Sequence, residues 1–264
     1  MTDPSATFVR YAVAEGVATI TLARPEAANA MSWDLVDQFA RAVAATTGDP
    51  ATRAILIEAE GKHFSVGGDI RAFASEPEPA AFIGRLARRL HEGVTALAAC
   101  PAPVIVAAQG AAAGAGLSVV AGGDIVLAGR SASFAMAYTG IGLTADGGAT
   151  WFLPRLIGLR RTQELAYTGR RLTADEALSF GLVTRLVDDA ALADEARALA
   201  RQVAAGPTAA YGGVKRLLAE TDRAPLPAQL DAEADAIELA MAGEDAREGI
   251  AAFLARRPAA YRGC

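Results

Sequence analysis

Two glycine-bearing turns follow apolar runs and are placed to bring backbone close to a ligand. One is Phe64-Ser65-Val66-Gly67-Gly68-Asp69-Ile70, after the run 54–57. The other is Gly110-x3-Gly114-Ala115-Gly116, after the run 104–108. Such turns admit a ligand at short range and leave amide N–H groups unpaired where a helix begins. Those amides suit either a phosphate or a developing oxyanion. Two turns of this kind fit an oxyanion better, because two convergent N–H groups can share one oxygen; tight turns with no ligand are the plainer reading of Gly67-Gly68. A carboxylate, Asp146, stands beside a third glycine pair in Gly142-Leu143-Thr144-Ala145-Asp146-Gly147-Gly148. It is placed to handle a proton or to cap the helix expected from about 148.

Other chemistries fit these residues less well. The spacing Gly110-x3-Gly114-x-Gly116 also occurs in dinucleotide-binding dehydrogenases, and Tyr211-x3-Lys215 supplies a second piece of that pattern. That fold places its glycine turn after the first strand, with an acidic residue about 20 positions on. Here a hairpin and strand–helix units precede the turn, and Asp124 comes too soon. No Gly-Lys-Ser/Thr follows to make a phosphate loop. His63 and His91 are the two histidines, without Cys or carboxylate at ligand spacing, so no metal centre is expected. There is no Gly-x-Ser-x-Gly elbow for a serine nucleophile. His91 is expected to be exposed on an arginine-rich helix face.

The elements that must position these turns alternate. A hairpin is expected over 7–13 and 17–23 around Glu15-Gly16, then a helix capped by Ser32 with Val36, Phe39, Ala40 and Val43 on one face. Strands follow at 54–57, 104–108, 124–128 and 133–136. A helix over 79–98 carries Ile83, Leu86, Leu90, Val94 and Leu97 as its stripe. From about 148 helices dominate: 148–157, 160–168, 174–180, 189–204, 207–220 and a long final system over 227–257, with one strand over 182–187. The pattern is α/β with mostly parallel pairing. At 264 residues with 52% apolar content, a large core with a helical appendage is expected. The net charge of −5 argues against nucleic acid or an anionic membrane as partner. Two cysteines, and an opening Met1-Thr2-Asp3-Pro4-Ser5 without a signal-peptide pattern, suit a cytoplasmic protein.

The glycine blocks, with Pro103-Val104-Ile105-Val106-Ala107-Ala108-Gln109 leading into the second, resemble the two signature blocks of the crotonase (enoyl-CoA hydratase/isomerase) superfamily. Arg24-Pro25-Glu26-Ala27-Ala28-Asn29-Ala30 resembles its first block. Asp146-Gly147-Gly148 followed by Leu153-Pro154-Arg155, Leu172-Thr173-Ala174-Asp175-Glu176-Ala177, and Glu248-Gly249-Ile250-Ala251-Ala252-Phe253-Leu254 are similar to later ones. The blocks stand in family order over almost the whole chain. The resemblance implies a β-β-α spiral core over 1–200, a C-terminal helical trimerisation region over 201–264, and a trimer or dimer of trimers. It also implies an acyl-CoA substrate that brings its own CoA, and no other cofactor.

By motif position, the N–H groups of Gly68 and Ala115 would hold the thioester oxygen. Ala115 replaces the family's usual glycine but keeps the amide. The resemblance places Arg24, Ala28, Lys62, Ser65, Gly67, Asp69 and Ile70 along the nucleotide and pantetheine; solvated surface charge is the other role open to Arg24 and Lys62. Phe134, Tyr138 and Trp151 would line the acyl pocket or pack in the core. The two glutamates of the hydratases match Ser118 and Tyr138, neither of which is a carboxylate. Hydration needs both an acid and a base, so ordinary hydratase chemistry is not expected. Asp146 resembles the catalytic aspartate of several isomerase branches, among them dienoyl-CoA isomerases and ring-epoxide isomerases. The expected activity is therefore enoyl-CoA double-bond isomerisation. Hydration, ring-epoxide isomerisation, thioester hydrolysis and silent acyl-CoA binding are the alternatives.

Overall fold

The computed structural model describes residues 6–264; the opening segment 1–5, read above for targeting signals, lies outside the described residues. The first two strands, β1 (Val9–Ala14) and β2 (Val17–Leu22), form the expected hairpin. Glu15 and Gly16 both take positive φ, as a two-residue turn with the right twist requires. Helix α1 (Trp33–Gly48) starts where Ser32 Oγ accepts the Leu35 N–H. Strands β3 (Ala54–Ala59), β4 (Val104–Ala108), β6 (Ile125–Gly129) and β9 (Arg185–Val187) extend the hairpin into a six-stranded sheet. Its order is β1-β2-β3-β4-β6-β9, parallel from β2 onward. A smaller sheet of β5 (Ala111–Ala113), β7 (Ser133–Ala135) and β8 (Arg171–Thr173) lies beside it in the order β5-β7-β8.

A repeat of strand, second-sheet segment and helix follows from this. Strand β4 leads to β5 and then to α4 (Ala115–Ala121); β6 leads to β7 and then to α5 (Ala149–Ile157). The preceding units are shorter versions, in which isolated bridges Met31–Gly68 and Ser65–Ala112 take the place of a second strand. This is a spiral of β-β-α turns. Sheet strands such as β4 are buried on both faces, which accounts for their unbroken apolar runs. One core lies between the sheets and α1, α3 (Pro79–Ala99), α4 and α5. A second lies under α8 (Leu192–Ala204), whose Leu192, Ala196, Ala200 and Ala204 pack on the other face of the large sheet.

Several elements differ from expectation. Segment 109–116 is more than a turn: it contains β5. Short helix α2 (Ile70–Ser75) and strand β8 are additional, being too brief to show a period. On α3 the buried positions are Phe82, Leu86, Leu90, Gly93 and Leu97, while Ile83 and Val94 are half-buried. The strand expected over 182–187 keeps only its last three residues. After α6 (Leu159–Thr168), α7 (Ala174–Phe180) and α9 (Thr208–Glu220), the final helical system is two helices. These are α10 (Leu226–Ala242) and α11 (Glu244–Leu254), separated at Gly243 by an extended ψ of 164°. No helix among the described residues is long and apolar enough to cross a membrane.

Candidate active site

Gly67, Gly68, Gly114, Ala115, Tyr138 and Asp146 border one cavity of about 340 Å³. The two glycine blocks meet because their backbones interlock. The Ser65 N–H donates to the Ala111 carbonyl (3.1 Å), and the Ala113 N–H donates to the Ser65 carbonyl (2.9 Å). A Cβ on Gly116 would stand 2.6 Å from the Ser65 carbonyl oxygen, so only glycine lets α4 come this near. Ala115 is the first residue of α4, with an ordinary φ, and Gly114 before it takes φ 52° and ψ −127°. The N–H groups of Gly68 and Ala115 donate to no other group among the described residues. For Ala115 this follows from its place in the first turn of a helix. Replacing the family's glycine has therefore cost no amide.

The 65–70 loop is braced from the first block. Ala28 and Asn29 both take left-handed φ, and the Ala28 carbonyl accepts the Val66 N–H at 3.2 Å. Buried Asn29 accepts the Arg24 N–H and donates to the carbonyls of Glu60 and His63. Arg24 is not a solvated surface charge. Its side chain is 15% exposed and donates to Asp69 Oδ2 at 2.7 Å and to the Ala30 carbonyl at 3.0 Å. Asp69 Oδ1 accepts the Ala72 N–H and caps α2. Burial works to raise the Asp69 pKa, but the hydrogen bonds from Arg24 and Ala72 outweigh it and hold the carboxyl below its ordinary value. Lys62 is exposed, and Ile70 is exposed at the cavity wall.

Two residues expected at the ligand are not among those lining this cavity. Ser65 is fully buried, and its hydroxyl donates to the Asn29 carbonyl (2.8 Å) while accepting the Gly67 N–H (3.2 Å). It shapes the loop and offers nothing to the cavity. Trp151 lies away from this wall: α5 turns Ala149, Leu153 and Ile157 inward, so position 151 falls on another face. There its ring stacks under Arg155 at 4.0 Å and borders a different groove. Phe134 is fully buried core rather than pocket lining. Apolar residues that the helical period marks only as core line the cavity instead, including Ile83, Leu86 and Leu90 of α3, with Ile141 and Leu143 from the loop after β7.

Asp146, Tyr138 and Ser118 form a compact cluster. Asp146 Oδ1 accepts the Tyr138 hydroxyl at 2.6 Å, and Ser118 Oγ lies 2.8 Å from the same hydroxyl. Ser118 is fully buried and also reaches the Asp146 carbonyl at 2.9 Å. Asp146 does not cap α5 with its side chain: Gly148 holds the cap position with no side-chain bond. Its carboxylate borders the cavity instead. Burial, then the adjacent Asp146 charge, pushes the Tyr138 phenol far above its ordinary value, so it stays protonated and serves as a donor. His91 is exposed as expected, yet its Nε2 accepts the Gly147 N–H at 3.0 Å, a partnership its sequence surroundings give no sign of. No group of three His, Cys, Asp or Glu side chains among the described residues is placed to hold a metal ion.

A profile of the enoyl-CoA hydratase/isomerase family matches residues 12–263. The 1,2-epoxyphenylacetyl-CoA isomerase of Escherichia coli K12 is 40% identical over 258 residues, spanning 97% of this chain and 98% of that protein. The trans-2-decenoyl-[acyl-carrier-protein] isomerase of Streptococcus mutans is 29% identical over 257 residues, with 97% and 98% covered. A solved enoyl-CoA hydratase from Polaromonas sp. JS666 superposes with a TM-score of 0.90 at 32% identity, covering 96% of this chain and 99% of that one. With the spiral fold and the paired glycine turns already in place, the chain belongs to the enoyl-CoA hydratase/isomerase family of the crotonase superfamily and is an acyl-CoA enzyme.

Proposed function

We propose that this protein isomerises an unsaturated acyl-CoA thioester by moving a double bond along the acyl chain. The observation that carries the reading is that Asp146 is the one carboxylate among the residues lining the cavity that also borders Gly68 and Ala115. In a 3-enoyl-CoA, an Asp146 carboxylate oxygen takes a proton from the α-carbon, and that electron pair moves into the carbonyl. The resulting dienolate oxygen is held by the Gly68 and Ala115 N–H groups. Asp146 then returns the proton to the γ-carbon, and the product is a 2-enoyl-CoA. One group acts as base and then as acid, so one carboxylate suffices. Each amide donor is worth about 3 kcal/mol in such a site. Hydration would call for two carboxylates, and Ser118 and Tyr138 stand where those two would be expected.

CoA enters as part of the substrate, and a proton shuttle of this kind calls for no redox or metal group. The nucleotide and pantetheine would run past Ala28, Lys62 and the 67–70 loop, with Arg24 and Asp69 acting through the ion pair that holds the loop. A second reading, isomerisation of a ring epoxide, is favoured by the 40% identity to the E. coli 1,2-epoxyphenylacetyl-CoA isomerase. The assembly proposed is a trimer or dimer of trimers built on the C-terminal helices.

Incubation with a 3-enoyl-CoA, followed by ultraviolet absorbance of the conjugated product, tests the reading. Conversion by the wild type and its loss in Asp146→Asn is the expected result. Robust hydration of a 2-enoyl-CoA by the wild type would sink it, and turnover of a ring-epoxide thioester alone would favour the second reading.

A further inference from the structure

A lone carboxylate that carries a proton between two carbons must be kept from turning in its site. We infer that Tyr138 is a positioning residue, which occupies Asp146 Oδ1 and so commits proton transfer to Oδ2. This rests on the assignment of Asp146 as proton shuttle. The hydroxyl inventory supports it. Tyr138 has one hydrogen, and its shortest contact, 2.6 Å, is to Oδ1, in the range of a charge-assisted O–H···O⁻ bond. Ser118 Oγ stands 2.8 Å behind that phenol, so its own hydrogen can support the Tyr138 oxygen while Tyr138 donates forward. Asp146 Oδ2 has no hydrogen-bond partner among the described residues. The two oxygens are thus made chemically unequal by one neighbour.

The backbone at Asp146 is pinned as firmly as the side chain. Its carbonyl accepts the Ala149 N–H at 3.2 Å, and Ser118 Oγ stands 2.9 Å from it. The next amide, Gly147 N–H, donates to His91 Nε2 at 3.0 Å. Gly147 takes φ 61°, and a Cβ there would lie 2.8 Å from Ser118 Cβ, so the loop is pressed against α4. With the backbone held from both sides, the freedom left to the carboxylate is rotation about Cα–Cβ and Cβ–Cγ, and the Tyr138 bond to Oδ1 restrains both. A proton taken by Oδ2 therefore stays on the oxygen that took it. Transfer from the α- to the γ-carbon is then largely internal, with little exchange into water.

The experiment compares wild type, Asp146→Asn and Tyr138→Phe with a 3-enoyl-CoA in D₂O. It measures kcat, KM and the deuterium content of the 2-enoyl product by mass spectrometry. Tyr138→Phe is expected to lower kcat about tenfold, the scale of one lost hydrogen bond to a charged group. KM should stay within about twofold, since the oxyanion amides are untouched. Product deuterium should rise, because the released carboxyl can turn and exchange. Replacing Tyr138 by 3-fluorotyrosine, which keeps the donor, should restore both readouts; a role in packing alone would not raise product deuterium in the phenylalanine variant. An active wild type with Tyr138→Phe unchanged in kcat and label overturns the positioning role and leaves Asp146 as shuttle. Undiminished turnover in Asp146→Asn, or an inactive wild type, overturns the underlying reading and this inference with it.

Discussion

In the proposed reaction Ala115 acts through its backbone alone. Where relatives of this fold commonly place glycine, a methyl group is tolerated because the residue sits at an ordinary helical φ, and the positive φ falls on Gly114 instead. The working group proposed is the amide hydrogen, so the substitution that tests it must remove that atom and little else. Proline fits the first position of a helix, and Ala115→Pro should keep the fold while deleting the donor. A loss of about 100-fold or more in kcat is expected, with an unchanged circular dichroism spectrum. An Ala115→Pro enzyme of near wild-type kcat would remove this amide from the oxyanion hole. Tyr138 makes the complementary point, since a phenol stands where a hydratase would need a carboxylate.

At the scale of elements, short pieces held by ion pairs do much of the positioning. The Arg24–Asp69 pair ties the turn after β2 to the start of α2, and the Gly68 amide lies at that junction. A similar clamp closes the C-terminus. Glu248 of α11 accepts both guanidinium nitrogens of Arg257, Nη1 at 2.6 Å and Nη2 at 2.8 Å, together with the Ala260 N–H at 2.8 Å. The Arg257 bonds first, and then the Ala260 amide, pull Glu248 down to about 2 from an ordinary 4.5. A lowered folded-state value means the clamp stabilises above the ordinary value and is lost as pH falls through about 2. Thermal unfolding of wild type and Glu248→Gln should therefore differ at pH 7 and converge toward pH 2. An equal gap at both values would show that the clamp contributes nothing through charge.

Across the whole molecule, the apolar surface is unevenly distributed. Leu226, Leu230, Ile237 and Leu239 of α10 and Phe253 and Leu254 of α11 are each more than half exposed, and α10 buries no residue at all. An apolar helix with no buried face in a single chain is a marker of association. Light scattering at micromolar concentration is expected to give the mass of three or six chains of 27.1 kDa. Ile237→Asp should lower that mass, and a wild-type monomer would overturn the proposed assembly. The cavity at Asp146 is lined by residues of this one chain.

The local elements with strong periods were legible from sequence: the hairpin at Glu15-Gly16, the helix capped by Ser32, the parallel strands, and the order of the glycine blocks. So was the absence of both hydratase carboxylates at 118 and 138, because identity at a motif position needs no coordinates. The short elements β5, β8 and α2 were not legible, since their formation depends on pairing with distant chain rather than on their own pattern. The tertiary structure alone decided which faces meet. It turned Trp151 outward and drew Ser65 into the loop. It made pocket lining of residues that the period marks as core on α3. It also brought Tyr138, 20 positions from Ser118 and 8 from Asp146, between the two. Hydrogen bonds of that length have no signature in sequence spacing: they arise where a loop after one strand folds over a helix that follows another.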